Sequence, residues 1–357
     1  MTPTLLDRAD LRQRVGAALA EFLAHQRDRC ADLDAVALAP VADAAEAFVL
    51  GGGKRLRPAF AYWGFRGAGG HDSDEVVATC AALELVQASA LIHDDVMDGS
   101  DTRRGEPAMH RRFERLHRAD GWLGRPEAFG TAAAILMGDL CLVWSGELLH
   151  SGGLDPHTLA RARPVFDEMR TEVTLGQYLD MQTQATGDTS TARASLVARF
   201  KSAKYTVERP LLLGAAIAGA SAEVTTAYSG YGLPLGEAFQ LRDDVLGVFG
   251  DPARTGKPAG DDLREGKRTY LIAAAAEAAD PTDRATLTGR LGDPTLDQAG
   301  IDRIRKIIVA TGALDRTEQR IEELHATAVA ALATVPLDPE AVEVLTGLAA
   351  AASRRDG

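Results

Sequence analysis

Apolar residues recur at three- and four-residue intervals along nearly the whole chain, and period-two alternation is hard to find. The pattern predicts helices over 9–30, 35–49, 58–67, 74–98, 128–150, 157–186, 191–218, 222–246, 268–279, 297–312, 315–334 and 338–352. Between them lie the glycine, proline and aspartate clusters expected at helix ends: GGGKRLRP at 51–58, the stretch from Gly99 to Gly105, SGGLDP at 151–156 and GDPARTGKPAGDDLREGKR at 250–268. None is a long low-complexity linker, so residues 1–357 are expected to form one all-α domain. The last ~85 residues, helical and rich in Ala, Arg and Glu, read as structural.

Two of these helices end in acids. The segment 74–98 is apolar until Asp94, Asp95 and Asp98. Asp94 and Asp98 are four residues apart, one turn above each other on one helix face, with Asp95 about 100° round from them. Such carboxylates repel one another unless a cation sits among them. Hard ions such as Mg²⁺ take one or two protein carboxylates together with water and phosphate oxygens. A diphosphate-binding metal site is therefore the first hypothesis. About 150 residues later GEAFQLRDDVLGVFGD carries Asp243 and Asp244, with Gly247 one turn after Asp243. In a helical bundle two such ends can face each other across one cavity.

An acidic helix end alone also fits a solvated surface, and neighbouring basic loops shift the balance. Lys54, Arg55 and Arg57 follow three glycines, where backbone N–H groups can join the cations on an anion. Pro58 suits the first turn of the next helix, whose positive dipole end adds to them. Asp101, Thr102, Arg103, Arg104 and Gly105 follow the first acidic cluster, and an arginine fork matches phosphate oxygens as well as it matches a simple Asp–Arg network. Lys257 and Lys267 sit among Gly256, Gly260 and Gly266, the composition of a phosphate lid or of an ordinary surface loop.

Asp plus Glu (51) exceed Lys plus Arg (39), and the net charge of -12 argues against bulk binding to nucleic acid or an anionic membrane. An anionic ligand must be met locally. Cys30, Cys80 and Cys141 follow no metal-ligand spacing, which fits a reduced, cytoplasmic protein without disulfides. The charged N-terminal stretch is unlike a secretory segment, and no apolar run reaches the ~18 residues of a membrane span, Pro210 to Ala220 being the nearest.

GGKRLRP, LIHDDVMD with DTRRG, KSAKYTVERP, and FQLRDDVLG followed by GDPARTGKPAGDDLREGKRT resemble, in family order over residues 51–269, the signature motifs of the trans-isoprenyl diphosphate synthases. The resemblance implies an isoprenoid synthase-type helical bundle around a central cavity, a homodimer, and head-to-tail condensation of isopentenyl diphosphate with dimethylallyl, geranyl or farnesyl diphosphate. It implies Mg²⁺, three ions per active site when diphosphate is bound, on Asp94, Asp98 and Asp243, with Asp95 and Asp244 supporting. Arg103, Lys201, Lys257 and Lys267 would clamp the allylic diphosphate. Lys54, Arg57, Arg104 and Gln87, where some relatives have His, would hold isopentenyl diphosphate. Lys201-Ser202 and Phe239-Gln240 match the Lys-Thr pair and FQ motif that turn dipoles toward the reacting cation, Ser202 keeping the hydroxyl of Thr. Many relatives carry Asp at the Gly247 position; with the first two acids present, Gly247→Asp is not expected to lower turnover by orders of magnitude.

Product length follows from the turns before Asp94. Ala90, Ser89 and Val86, four, five and eight residues before it, would line the wall beside the growing chain. Family members that stop at fifteen carbons commonly have bulky aromatics at the first two positions, and another short-chain subgroup has a two-residue insertion in the first motif. Neither feature occurs here, which favours geranylgeranyl diphosphate, with Val86, Leu85 and Met137 or Met181 closing the floor. The alternatives are a farnesyl or longer-chain synthase and a non-catalytic partner subunit that binds isoprenoid diphosphates. Intact Asp94, Asp98, Asp243, Lys54 and Arg57 argue against the silent subunit, and GGKRLRP with Arg104 against a terpene cyclase.

Overall fold

The computed structural model describes residues 5–250, 260–293 and 295–353, and helix dominates among them. The chain divides into two compact units, Met1–Tyr62 with Gly70–Arg163, and Trp63–Gly69 with Pro164–Gly357.

The first unit contains α1 (Leu11–Asp34), α2 (Ala39–Leu50), the start of α3 (Leu56–Gly67), α4 (Asp74–Asp98), the short strands β1 (Thr102–Arg103) and β2 (Glu106–Pro107), α5 (Met109–Ala119) and α6 (Pro126–Ser151). It is assembled on α4, which packs against α1, α2, α5 and α6. From Val76 to Val86 every α4 residue except Ala78 is buried, as expected of a helix that is apolar all round. Its start is fixed by the Ser73 hydroxyl accepting from the Val76 N–H, with Asp74 and Glu75 at the positive dipole end. At the other end Gly99 adopts the left-handed conformation that stops the helix.

Two expectations need correction here. α4 and α6 are both long and apolar enough to cross a membrane, so Pro210–Ala220 was not the nearest candidate; the apolar stretch of α4 is 72% buried and that of α6 44%. For α4 the apolar character is that of a core helix. The second correction is α5, which the periodicity passed over. Met109, Phe113 and His117 form its buried stripe at four-residue spacing, and a histidine in the stripe among five arginine or glutamate neighbours hides it from an apolar count.

The second unit contains most of α7 (Pro156–Thr186), then α8 (Thr191–Val197), a π-helical stretch Ala198–Glu208 and α9 (Arg209–Ala218), which run as one rod, followed by α10 (Ala222–Phe249) and the C-terminal helices. α10 is the central element, packed against the π stretch, α9, Ala313–Leu332 and Pro339–Ser353. The Tyr228 and Tyr231 hydroxyls pin it by donating to the carbonyls of Gly64 (2.8 Å) and Leu345 (2.7 Å). A core including Val245, Leu271, Ile304 and Ile308 joins the end of α10 to Tyr270–Ala278 and Gln298–Ala310. The helix Pro281–Arg290 was not predicted, because Leu287 is its one buried apolar residue; its start is nevertheless marked by Asp280, which accepts from Thr282 and Asp283 N–H, and by Pro281.

The expected helix 191–218 is continuous but widened at Ala198–Glu208. A π turn is broader than an α turn, so neighbours must yield space. Three glycines provide it: a Cβ at Gly176 of α7 would lie 2.5 Å from the Lys201 nitrogen, one at Gly232 of α10 would lie 2.6 Å from Glu208 Cα, and one at Gly236 would run into the Ala203 backbone. They clasp the segment that carries Lys201 and Ser202.

Candidate active site

In the first unit the acids of α4 lie at the negative end of its dipole with no basic residue in the last turn, so their charge must be balanced from outside the helix. Arg103 does this. Its Nε donates to Asp95 Oδ1 at 2.9 Å, its Nη2 donates to the same oxygen, and Nη2 stands 3.9 Å from Asp94 Oδ2. Asp95 is 0% exposed. Burial pushes its carboxyl up, Arg103 opposes this, and Asp94 adds to it. Asp95 therefore differs from Asp94 and Asp98, both half-buried: its Oδ1 is an internal partner of Arg103, while its Oδ2 is buried without a hydrogen-bond partner. Arg103 is delivered by a hairpin pairing Thr102 with Pro107 and Arg103 with Glu106. Arg104 and Gly105 form its two-residue turn, both with positive φ (55° and 80°), the mirror-image turn that matches strand twist.

Two histidines that sequence reasoning missed brace this end. His93 Nε2 lies 3.1 Å from the Ile135 carbonyl and 3.5 Å from Asp139 Oδ1, and only a glycine at 138 leaves room for the ring. His110, buried near Asp95, is pushed toward the neutral form first by burial and then by Arg111.

The glycine loop and α4 form the second cluster of the first unit. Lys54 is exposed, Arg57 and Gln87 are half-buried, and Arg104 joins them by donating from Nη1 to the Gly52 carbonyl at 3.0 Å. Arg55, grouped with the anion-binding cations from sequence, points inward instead: it is 9% exposed and its Nη1 donates to Glu84 Oε2 at 2.6 Å.

In the second unit, Asp243 is half-buried and Asp244 is 4% exposed. Gln240 Nε2 donates to Asp244 Oδ1 at 2.8 Å. Burial above all, with Asp262 and Asp243 adding to it, pushes the Asp244 carboxyl up to about 7. A Cβ at Gly247 would run into the Asp262 carboxylate. The space left by the missing third acid is thus taken by Asp262 from the following segment, a residue that sequence reasoning did not single out. An aspartate at 247 would meet the Asp262 carboxylate in this space. Lys267 Nζ lies 2.5 Å from Glu265 Oε2 and 3.4 Å from Asp262 Oδ1. Lys257 lies outside the described residues. On the π stretch, Lys201 Nζ donates to Asp180 Oδ2 at 2.6 Å, beside the half-buried Ser202. Glu172 staples the same stretch by accepting from Lys204 and from Arg209 Nε (2.6 Å); burial pushes its carboxyl up, and the two cations more than reverse this.

Residues 39–308 match the family described as Polyprenyl synthetase. The chain belongs to the polyprenyl synthetase family. It is 33% identical over 299 residues to the geranylfarnesyl diphosphate synthase of Aeropyrum pernix (82% of this chain, 87% of the relative). It is 31% identical over 308 residues to the octaprenyl diphosphate synthase of Escherichia coli (86% and 88%). A crystal structure of geranylgeranyl pyrophosphate synthase from Corynebacterium glutamicum, complexed with isoprenyl diphosphate and magnesium, superimposes with a TM-score of 0.93 at 44% identity, covering 97% of this chain and 98% of that one. The helical-bundle fold is shared, and the protein is a trans-prenyltransferase of this family.

The donor set fits a hard divalent ion. Every candidate ligand is a carboxylate oxygen, and Asp244 is pushed toward protonation first by burial and then by Asp262 and Asp243, so a cation beside these acids would relieve their repulsion. Among the described residues no three acidic, histidine or cysteine side chains form a metal cage. Of the product-length residues, Val86 and Ser89 are each 2% exposed and Ala90 is half-buried on α4; Met137 is buried, whereas Met181 is 45% exposed.

Proposed function

We propose that the protein condenses isopentenyl diphosphate head-to-tail with an allylic diphosphate, releasing diphosphate and giving an all-trans prenyl diphosphate, geranylgeranyl diphosphate as the main product, with residues 1–357 acting as one catalytic domain. The observation that carries this reading is the pair of acidic helix ends, each with its own cations, together with a separate basic pocket at the glycine loop: a reaction of two diphosphates calls for both.

Asp94, Asp98 and Asp243 would hold Mg²⁺, with Asp262 in the place left by Gly247. Bound Mg²⁺ supplies charge stabilisation to the departing diphosphate. Arg103, Lys201 and Lys267 are assigned to the same diphosphate, and so is Lys257. Lys54, Arg57, Arg104 and Gln87 are assigned to isopentenyl diphosphate. The allylic C–O bond breaks and its electron pair leaves with diphosphate. The double bond of isopentenyl diphosphate then forms the new C–C bond, and a proton passes from the adjacent carbon to the released diphosphate. Lys201, Ser202 and Gln240 would orient the dipoles facing the cation. Val86, Ser89 and Ala90 would form a small-residue wall that passes a fifteen-carbon chain.

The exposed apolar residues Phe129, Ile135, Leu136 and Val143 of α6 support a homodimer, a second copy covering this face. Light scattering on the purified protein tests it, a monomeric mass at all concentrations being the contrary result. The function itself is tested by incubating the protein with Mg²⁺, isopentenyl diphosphate and each allylic starter in turn and sizing the products by mass spectrometry. A fifteen-carbon or much longer main product would replace the geranylgeranyl assignment, and no product from any starter would favour the silent-subunit alternative.

A further inference from the structure

We propose that the buried Arg55–Glu84 pair is the positioning device of the isopentenyl diphosphate pocket, locking the glycine loop onto α4 so that Lys54, Arg57 and Arg104 are presented together. The proposal rests on the assignment of that pocket under Proposed function.

Arg55 ties three elements to one another. Its Nη1 donates to Glu84 Oε2 of α4 at 2.6 Å, and its Nη2 donates to the Val49 carbonyl at 2.7 Å. Val49 lies in the last turn of α2, which has no basic residue of its own, so the guanidinium also satisfies a carbonyl at that helix end. Both partners of the ion pair are almost fully buried, 9% and 6% exposed. A pair buried this far contributes little net stability, because desolvation offsets the attraction, but removing one partner strands the other charge. Arg55 moreover holds a left-handed backbone (φ 51°), which a side chain other than glycine adopts only under constraint. A costly pair on a strained residue is the mark of a geometry that is being fixed.

What it fixes is the outward face. With Arg55 turned in, Lys54 before it stays exposed and Arg57 after it half-exposed. Gly52 and Gly53 (φ 111° and 128°) let the Arg104 guanidinium come down on the loop, where its Nη2 lies 3.5 Å from the place a Gly53 Cβ would take, and Arg55 Nη1 lies 4.0 Å from the same point. Arg104 is the second arginine here with a left-handed backbone (φ 55°), so two strained arginines meet at one loop. Glu84 is also the opposing charge for Arg104, which partial desolvation and the Arg55 and Arg103 cations hold below the usual arginine range. Without Glu84 the loop would carry uncompensated positive charge on both sides. Arg55 is thus a positioning residue, its two terminal nitrogens already committed to Glu84 and Val49.

The test is steady-state kinetics of Glu84→Gln and Arg55→Lys, with isopentenyl and farnesyl diphosphate varied separately. Arg55→Lys keeps the charge but loses the fork that reaches both Glu84 and the Val49 carbonyl. Both variants are expected to raise KM for isopentenyl diphosphate roughly tenfold or more, with KM for farnesyl diphosphate within about twofold and kcat within about threefold. Hydrogen exchange of the amides of residues 51–57 in the ligand-free protein, expected to speed up in both variants while α6 is unchanged, reads the loop directly. Unchanged kinetics, an equal rise in both KM values, or unaltered exchange would each overturn the proposal. A wild-type protein that does not use isopentenyl diphosphate would instead overturn the proposed function, and the exchange measurement would still decide whether the pair holds the loop.

Discussion

At the end of α4 the middle acid of the cluster, Asp95, is buried against the guanidinium of Arg103, whereas at the end of α10 the corresponding acid, Asp244, is buried against the Gln240 amide with Asp243 and Asp262 nearby. The same dipeptide on the same kind of helix end therefore meets different partners, although burial pushes both carboxyls up. In the first unit Arg103, the strand residue before a two-residue hairpin turn, pairs with the buried acid, while Asp94 and Asp98 are half-buried. In the second unit the side-chain hydrogen bond to Asp244 comes, among the described residues, from the neutral Gln240 amide, and a third acid, Asp262, comes from another segment because Gly247 leaves the space. Burying a carboxylate is tolerable only with a counter-charge, a proton or a metal. At the first end the counter-charge, Arg103, lies on the buried acid itself; at the second the cation, Lys267, lies on the neighbouring Asp262.

The comparison can be broken most sharply at the outward acids. Asp94→Ala and Asp243→Ala are each expected to lower turnover on the order of 10²–10³-fold, the scale for losing one element of transition-state charge stabilisation. Incorporation of labelled isopentenyl diphosphate measures it, and a wild-type-like rate in either variant would remove that acid from the metal set. Next come the third acids. If Asp262 serves the second end as Asp98 serves the first, Asp262→Ala and Asp98→Ala should both raise the Mg²⁺ concentration for half-maximal rate, roughly 10–100-fold for a supporting ligand. A silent Asp262→Ala would leave the second end without a third acid. Gly247→Asp, by displacing Asp262, is expected to fall between wild type and Asp262→Ala.

The counter-charge difference has its own signature in the metal-free protein. The Asp244 carboxyl is pushed up to about 7, so between the ordinary aspartate pKa of about 3.9 and that value the folded protein binds a proton that the unfolded chain has lost. Its contribution to stability is therefore full below the unfolded value and declines as pH rises toward 7. Asp244→Asn should flatten this decline in urea unfolding curves recorded in EDTA; an unaltered slope would place the charge imbalance elsewhere. The smallest effect on rate is expected from Ser89→Phe on α4, which should shorten the product with turnover largely kept. Unchanged product length by mass spectrometry would show that the chain grows along another wall.

Much of this was legible in the sequence because it rests on spacing. The period of apolar residues located α4 and α10, and their acids stood at helix ends as read. Less legible was whatever depended on a partner distant in sequence. Nothing in DDVMD distinguishes Asp95 from its neighbours until Arg103 is seen against it, and nothing in KRLRP turns Arg55 inward until Glu84 is found beneath it. The π stretch was likewise invisible to a helical pattern, although Gly176, Gly232 and Gly236, spaced along its two neighbours, were the trace it left. α5 was missed because its buried stripe is partly histidine.

The most direct test of the central claim, that the two acidic ends serve one Mg²⁺-dependent condensation, is product analysis with isopentenyl and farnesyl diphosphate in the presence of Mg²⁺ and again with excess EDTA. Geranylgeranyl diphosphate is expected with Mg²⁺ and none with EDTA. Condensation that persists in EDTA, or its absence at every Mg²⁺ concentration, would contradict the claim.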